Sequence, residues 1–119
     1  MKTRKELKKE YKQMKFKMGV FQIRNTVNNK VFIDSSTDLV AIWNRQRMEL
    51  NFGSHPNLAL QKEWKTFGED KFVYEIVAEL EQKSDETTDY KKELKALKEM
   101  YLEKLQPFAD KGYNREITK

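Results

Sequence analysis

The stretch of sequence that decides the fold is MGVFQIRNTVNNKVFIDSS, residues 18–36. Two arms rich in β-forming residues, 19–24 and 30–34, are joined through Asn28 and Asn29, which tolerate the positive backbone angles of a tight turn. We therefore predict a β-hairpin. The Ser/Thr/Asp cluster at 35–38 offers side-chain oxygens that cap a helix start, so a helix is predicted over about 38–50.

The chain continues with a second helix and a third strand. Ser54, His55 and Pro56 suit the start of the helix, and Gly68 suits its end. Residues 71–79 alternate between two sets of side chains, as a strand with one buried face does. That face comprises Phe72, Tyr74, Ile76 and Ala78.

A polar segment at 81–88 has no core pattern and predicts a loop. Thr88 or Asp89 then caps a long helix, which Pro107 ends. Apolar residues along this helix recur at intervals of four and three, as one buried helix face requires. They are Tyr90, Leu94, Leu97, Tyr101 and Leu105.

Composition limits the class of protein. A chain of 119 residues suits one domain with its own core. The absence of cysteine excludes disulfides, thiolate zinc sites and cysteine nucleophiles, and it favours a cytoplasmic location. No apolar run approaches the roughly 20 residues of a membrane span, and the N-terminus is charged. We therefore expect neither a membrane anchor nor an export signal.

The positive charge is concentrated at the N-terminus. Residues 1–17 hold eight lysines or arginines against two glutamates, a net charge of +6, whereas the whole chain carries +5. Leu7, Tyr11 and Met14 recur at helical spacing, so this arm is predicted to be a basic helix with one thin apolar stripe. A polyanion, above all DNA, would be drawn to the arm first.

The order of motifs and elements resembles that of the GIY-YIG nuclease domain, in particular the catalytic domain of phage group I intron homing endonucleases. The matching motifs are Gly19-Val20-Phe21, Phe32-Ile33-Asp34 and Gly112-Tyr113-Asn114. The resemblance implies an α+β fold, a small three-stranded antiparallel sheet flanked by helices. The predicted organisation is a basic N-terminal helical arm at 1–17, the GIY-YIG-like domain at 18–115 and a tail at 116–119.

In active members, the resemblance implies metal-dependent cleavage of a DNA phosphodiester. A tyrosine helps to activate water, a helix arginine binds the phosphate, and a glutamate holds one divalent cation, Mg²⁺ or Mn²⁺. Here phenylalanine stands at both tyrosine positions. Lys98 stands at the glutamate position, and a lysine cannot hold a cation. The family site positions are occupied by Phe21, Phe32, Asp34, Ile42 and Lys98. We therefore predict a catalytically degenerate site.

Other residues could take over parts of that chemistry. Arg45 lies one helical turn after Ile42 and could reach a phosphate, and His55 and Asn114 match family positions. Asp34 or Glu99 are the candidate metal ligands. These residues keep an active, divalent-metal-dependent endonuclease with a rearranged site open as an alternative.

The preferred hypothesis is a domain that binds DNA without cutting it. A third hypothesis is a protein-interaction module whose arm only confers solubility. The candidate DNA-binding residues are basic side chains of the arm, the hairpin and the first domain helix. They are Lys5, Lys8, Lys9, Lys12, Arg24, Lys30, Arg45 and Arg47.

Overall fold

The computed structural model describes residues 17–81 and 89–114. Within these ranges the elements are β1 (Met18–Asn25), β2 (Val31–Ser36), α1 (Leu39–Phe52), α2 (Leu58–Phe67), β3 (Phe72–Leu80) and α3 (Tyr90–Leu105), with 3₁₀ turns at Glu69–Lys71 and Ala109–Lys111. The α+β prediction is confirmed. The predicted arm up to residue 16, nearly all of the polar loop and the tail lie outside the described residues.

The three strands form one antiparallel sheet in the order β2-β1-β3. The hairpin pairs Gly19 with Ser36 and Arg24 with Val31, and the pairing of β1 with β3 contains a bulge beside Val20 and Phe21. A Cβ at Gly19 would lie 2.0 Å from the carbonyl oxygen of Ala78. Glycine is therefore required where the backbones of β1 and β3 meet.

The hairpin connection lies between the predicted arms and contains the predicted turn residues Asn28 and Asn29. Asn25 N donates to Lys30 O at 2.9 Å, and Asn29 N donates to Asn25 O at 2.8 Å, so four residues form the loop. Of the two predicted turn residues, only Asn29 has a positive φ, 62°. Its side chain type tolerates this conformation better than most.

Both faces of the sheet are covered by helices. On one face, Phe21 and Ile23 pack with Leu39 of α1 and Leu60 of α2. On the other, Val20 and Ile33 pack with Leu102 of α3. Because β1 is central and buried on both faces, its residues are apolar or glycine except for Gln22, Arg24 and Asn25.

Two predicted core positions on β3 and α3 are wrong. Ile76 is 43% exposed, although it pairs with the buried residue Phe21 of β1. Leu105 is 44% exposed at the end of α3, whereas Leu102, absent from the predicted stripe, is buried. Periodicity shows which residues share one face of an element, but the packing of other elements decides which positions on that face are covered.

The residue that caps the N-terminus agrees with the prediction for two of the three helices. Asp38 caps α1 by accepting from Ala41 N at 3.0 Å, and Asp89 caps α3. The cap of α2 is Asn57 rather than Ser54 or His55, and Pro56 precedes the helix. In residues 17–81 and 89–114, no helix is both long and apolar enough to cross a membrane.

Candidate active-site cleft

A cleft lies where the end of β2 meets α1 and the segment before α2. Its two lobes, of about 510 and 550 Å³, share Asp34, Gln46 and Pro56. The first lobe is completed by Ile42, Arg45, Glu49 and Ser54. The second is completed by Phe32, His55, Asn57, Leu58, Ala59 and Tyr113. The family site positions Phe32, Asp34 and Ile42 thus line one depression.

An ion pair joins two family site positions at this cleft. Lys98 Nζ of α3 lies 3.1 Å from Asp34 Oδ1 at the end of β2, and each side chain is about one third exposed, 32% and 33%. The same carboxylate oxygen accepts from Ser35 N at 2.8 Å. The Asp34 carboxylate and the Lys98 ammonium therefore neutralise each other.

His55 and Gln46 form a buried pair at the floor of the cleft. His55 Nε2 is hydrogen-bonded to Gln46 Oε1, and His55 Nδ1 accepts from Asn57 N at 3.0 Å. These partners require the tautomer with hydrogen on Nε2. Burial lowers the pKa of His55 below its ordinary value, so the neutral ring is favoured. Both ring nitrogens are engaged, which leaves neither lone pair for a metal ion.

The phenylalanines at the two tyrosine positions act as packing groups. Phe21 is completely buried, with its ring centroid 5.4 Å from that of Tyr74. Phe32 packs on the same core, and its ring meets the His55 ring edge-on at 5.7 Å. Ile42 also packs against this core. None of the three provides a proton-transfer group or a phosphate ligand.

The residues proposed to replace the family's catalytic groups either have other partners or lie outside the cleft. Arg45 is 74% exposed and its Nε lies 3.0 Å from Glu49 Oε1, one helical turn away. Glu99 is exposed on α3, whereas its neighbour Lys98 reaches the cleft. The side chain of Asn114 bonds both the N–H and the carbonyl of Ile33, each at 2.8 Å. The structure thus gives Asn114 a backbone-binding role at the edge of the sheet.

The other predicted DNA-binding cations of the domain also have acidic neighbours. Arg24 Nε lies 2.8 Å from Glu75, and this bond lowers the pKa of the Glu75 carboxyl. Lys30 and Arg47 lie 3.9 and 3.7 Å from glutamates Glu63 and Glu69. The four arm lysines, Lys5, Lys8, Lys9 and Lys12, lie outside the described residues.

Sequence reasoning missed the reciprocal nature of two substitutions. The resemblance predicts a glycine at Asp34 and an acid at Lys98, and the structure pairs the two opposite charges that stand there instead. Gln46 is a further residue of the cleft that the sequence analysis did not single out, and it is 8% exposed and hydrogen-bonded to His55. The sequence did contain a signal for this ion pair, because residues of opposite charge stand at two family positions.

The residues of the cleft do not fit a divalent cation. The Asp34 carboxylate faces an ammonium group, and both nitrogens of His55 are engaged. No group of three or more His, Cys, Asp or Glu side chains in the part of the chain that is described could hold a metal ion. A Mg²⁺ site needs oxygen ligands free of competing cations.

Comparison with known proteins identifies the class. Over 69 residues, 58% of this chain, the sequence is 35% identical to intron-associated endonuclease 1 of Enterobacteria phage T4, and the match spans 28% of that endonuclease. The fold matches the catalytic domain of the homing endonuclease I-TevI with a TM-score of 0.70 and 26% identity, over 84% of this chain and 99% of that one. No protein-family model matches.

A mutant form of the same I-TevI catalytic domain matches equally well, with a TM-score of 0.70 and 28% identity over 83% of this chain and 93% of that one. These similarities in sequence and fold support the assignment to the GIY-YIG nuclease superfamily that the motifs predict. The particular likeness of the chain is to the catalytic domain of an intron-encoded homing endonuclease.

Proposed function

We propose that this domain binds DNA through its basic arm and does not cleave it. The observation that carries the proposal is the ion pair between Lys98 and Asp34, 3.1 Å apart. It places an ammonium where the family needs a cation-binding carboxylate. Positive charge fixed in the protein cannot replace a metal ion that activates water and stabilises the leaving oxygen.

Loss of catalysis involves several roles at once. Phe21 and Phe32 lack the hydroxyl that takes part in proton transfer, and Ile42 cannot bind the scissile phosphate. In the cleft, Arg45 is held by Glu49 and His55 by Gln46. An active enzyme with a rearranged site would have to break these pairs, and Mg²⁺ or Mn²⁺ would be its cofactor.

Binding to DNA is supported by the positive charge of the arm and by similarity to proteins named as endonucleases. The arm has a net charge of +6, and residues 18–119 together carry −1, so attraction to phosphates resides in the arm. The similar proteins are endonucleases by name. A GIY-YIG-like domain without the metal-binding carboxylate can still have a surface that binds duplex DNA.

Cleavage is tested by incubating the full chain with supercoiled plasmid in Mg²⁺ and, separately, in Mn²⁺. We expect no nicking above the level of a protein-free control. Nicking that co-purifies with the chain and disappears in Asp34→Ala would contradict the proposal and favour the rearranged enzyme.

Binding is tested on duplex DNA at several salt concentrations. Replacing Lys5, Lys8, Lys9 and Lys12 by glutamine should lower the salt slope of log K by about 3 to 4, because each lost phosphate contact removes about 0.9. The matched control replaces four exposed lysines of α3, Lys91, Lys92, Lys95 and Lys104, and should leave most of the slope. No binding of the unaltered chain at low salt would favour the protein-interaction module.

A further inference from the structure

The N-terminus of α2 borders the second lobe of the cleft. This helix has ten residues, and Asn57, Leu58 and Ala59 at its start all line the lobe. The Asn57 side chain accepts from Leu60 N at 3.0 Å. Within the part of the chain that the structure describes, the N–H groups of Leu58 and Ala59 have no acceptor. Two main-chain donors therefore remain at the positive end of the helix dipole.

An amide of α1 lies at the floor of the same lobe. Gln46 is 8% exposed, and its Oε1 is bonded to His55. Its Nε2 has no hydrogen-bond partner among the described residues. Because Nε2 is also not fully enclosed by protein, this N–H₂ group faces the lobe that Gln46 lines. It is a third donor available to a bound molecule.

The charges around the second lobe admit an anion. Asp34 is the only acidic residue among those that line it, and Lys98 Nζ lies 3.1 Å from the Asp34 carboxylate. This ion pair offsets the repulsion that Asp34 would exert on a negative group. The first turn of α2 contains no acidic residue, so the helix dipole is not compensated from within the helix. The lobe thus combines three donors with little opposing charge.

A phosphate group suits these donors, since its oxygens accept from main-chain N–H groups at a helix N-terminus. The lobe, at about 550 Å³, is larger than a phosphate and lies in the range of roughly 300–1,000 Å³ for small-molecule sites. Phe32 and Pro56 provide apolar lining for a nucleoside. Ile42, where the resemblance predicts a phosphate ligand, lines the first lobe and not the second. The site at α2 is therefore distinct from that position.

We propose that the second lobe binds the phosphate group of a nucleotide through the N–H groups of Leu58 and Ala59 and through Gln46 Nε2. The nucleotide is either free or the terminal nucleotide of a DNA strand, and its phosphate meets the same donors in both cases. In the second case, the lobe holds a strand end while the arm binds the backbone, so that case rests on the proposed function.

A proline substitution tests the main-chain donor at Leu58. Leu58 is the first residue of α2, where proline is tolerated, and Asn57 before it is already extended, with φ −87° and ψ 104°. Leu58→Pro removes the N–H group and keeps the helix. The matched control, Leu58→Ala, removes a side chain that is 75% exposed and keeps the N–H group.

Deoxyadenosine monophosphate is the probe, because it presents the phosphate of either source. In calorimetry on the full chain, Leu58→Pro should bind it at least about tenfold more weakly than the unaltered chain, and Leu58→Ala should stay within about twofold. Deoxyadenosine, which lacks the phosphate, should bind the unaltered chain at least about tenfold more weakly than the monophosphate. Far-UV circular dichroism checks that each variant keeps its helices.

Gln46→Glu tests the side-chain donor independently. The new carboxylate keeps an oxygen for the His55 N–H group but puts negative charge where Nε2 faces the lobe. Binding of the monophosphate should therefore weaken at least about tenfold. Equal affinities of Leu58→Pro and Leu58→Ala would overturn the proposal, because the phosphate would then be bound elsewhere, as by the arm. Absence of binding to the unaltered chain, or equal binding of deoxyadenosine, would also overturn it.

The source of the phosphate is identified with two short duplexes that differ only in a phosphate or a hydroxyl at their 5′ ends. Tighter binding of the phosphorylated duplex, lost in Leu58→Pro, assigns the lobe to strand ends. Equal binding of the two duplexes by a chain that binds the monophosphate assigns it to a free nucleotide.

The calorimetry contains no DNA, so the two proposals fail separately. A chain that binds the monophosphate but no duplex would refute the DNA-binding proposal alone. A chain that binds duplex but not the monophosphate would refute the nucleotide site alone.

Discussion

Residues 112–114 lie against β2 at one edge of the sheet, here called the closing edge. The cleft also contains residues of β2, but the two regions differ in which family residues are present. At the closing edge, Tyr113 N donates to Val31 O at 2.9 Å, and Asn114 bonds both backbone groups of Ile33. In the cleft, Ile42 and Lys98 occupy the positions where the resemblance predicts a phosphate ligand and a metal ligand. The comparison is therefore between motif residues that satisfy backbone hydrogen bonds and positions that differ from the predicted catalytic pattern.

The replacements in the cleft form partners with one another. Lys98 pairs with Asp34, and Gln46 pairs with His55. Each polar group therefore has the hydrogen bonds that burial or partial burial requires. A site that has lost its ligands without such compensation would leave buried polar groups unsatisfied, at a cost of about 1–3 kcal/mol each.

The largest effect is expected at the closing edge. A Cβ at Gly112 would lie 2.4 Å from the carbonyl oxygen of Pro107, a backbone atom that cannot move aside. We expect Gly112→Ala to lower the free energy of unfolding by about 3 kcal/mol, measured by urea denaturation. Gly53→Ala is the matched control, because a Cβ there meets nothing within 4 Å and only its φ of 78° opposes the change.

For the control we expect a loss of about 1 kcal/mol, the cost of a left-handed conformation. Equal losses at Gly112 and Gly53 would show that the closing edge does not require the close approach seen here.

A smaller effect is expected from the pH dependence of the cleft. Burial lowers the pKa of His55, so the unfolded chain binds a proton more readily than the folded chain. Stability should therefore fall as the pH drops below the ordinary histidine value of about 6.5. Between pH 7.5 and 5.5, this residue should account for a loss of up to about 1.4 kcal/mol, the limit for a ring that stays neutral in the folded chain.

The measurement compares the free energies of unfolding of the unaltered chain and His55→Gln at both pH values. The difference isolates His55 from the carboxylates, which titrate in both proteins. If the two proteins lose the same stability on acidification, His55 is not held in its neutral form by the cleft.

The smallest effect concerns the ion pair itself. In a double-mutant cycle of Asp34→Ala and Lys98→Ala, we expect a coupling energy of about 0.5–1 kcal/mol, because each side chain is about one third exposed. The comparison pair is Arg45 and Glu49, where the arginine is 74% exposed and about 0.3 kcal/mol is expected.

Raising the salt concentration should weaken the exposed pair more than the pair in the cleft. A coupling energy near zero for Asp34 and Lys98 would mean that the two charges do not compensate each other. The reciprocal substitutions would then have no energetic link.

Much of the fold could be predicted from short-range patterns. The hairpin, the helix capped by Asp38 and the long helix capped by Asp89 follow from residue types at fixed spacing, and all three are present. The errors occur where a residue's environment depends on distant elements. Ile76 and Leu105 have the right period for burial, but no described element covers them.

The sequence by itself determined the order of elements and the resemblance to the GIY-YIG domain, because these depend on which residue stands at which position. Only the tertiary structure decided that Lys98 and Asp34 meet, since 64 residues separate them and no local pattern links α3 to β2. It also decided that His55 is buried and hydrogen-bonded through both ring nitrogens. Such pairings depend on how the elements pack around the sheet.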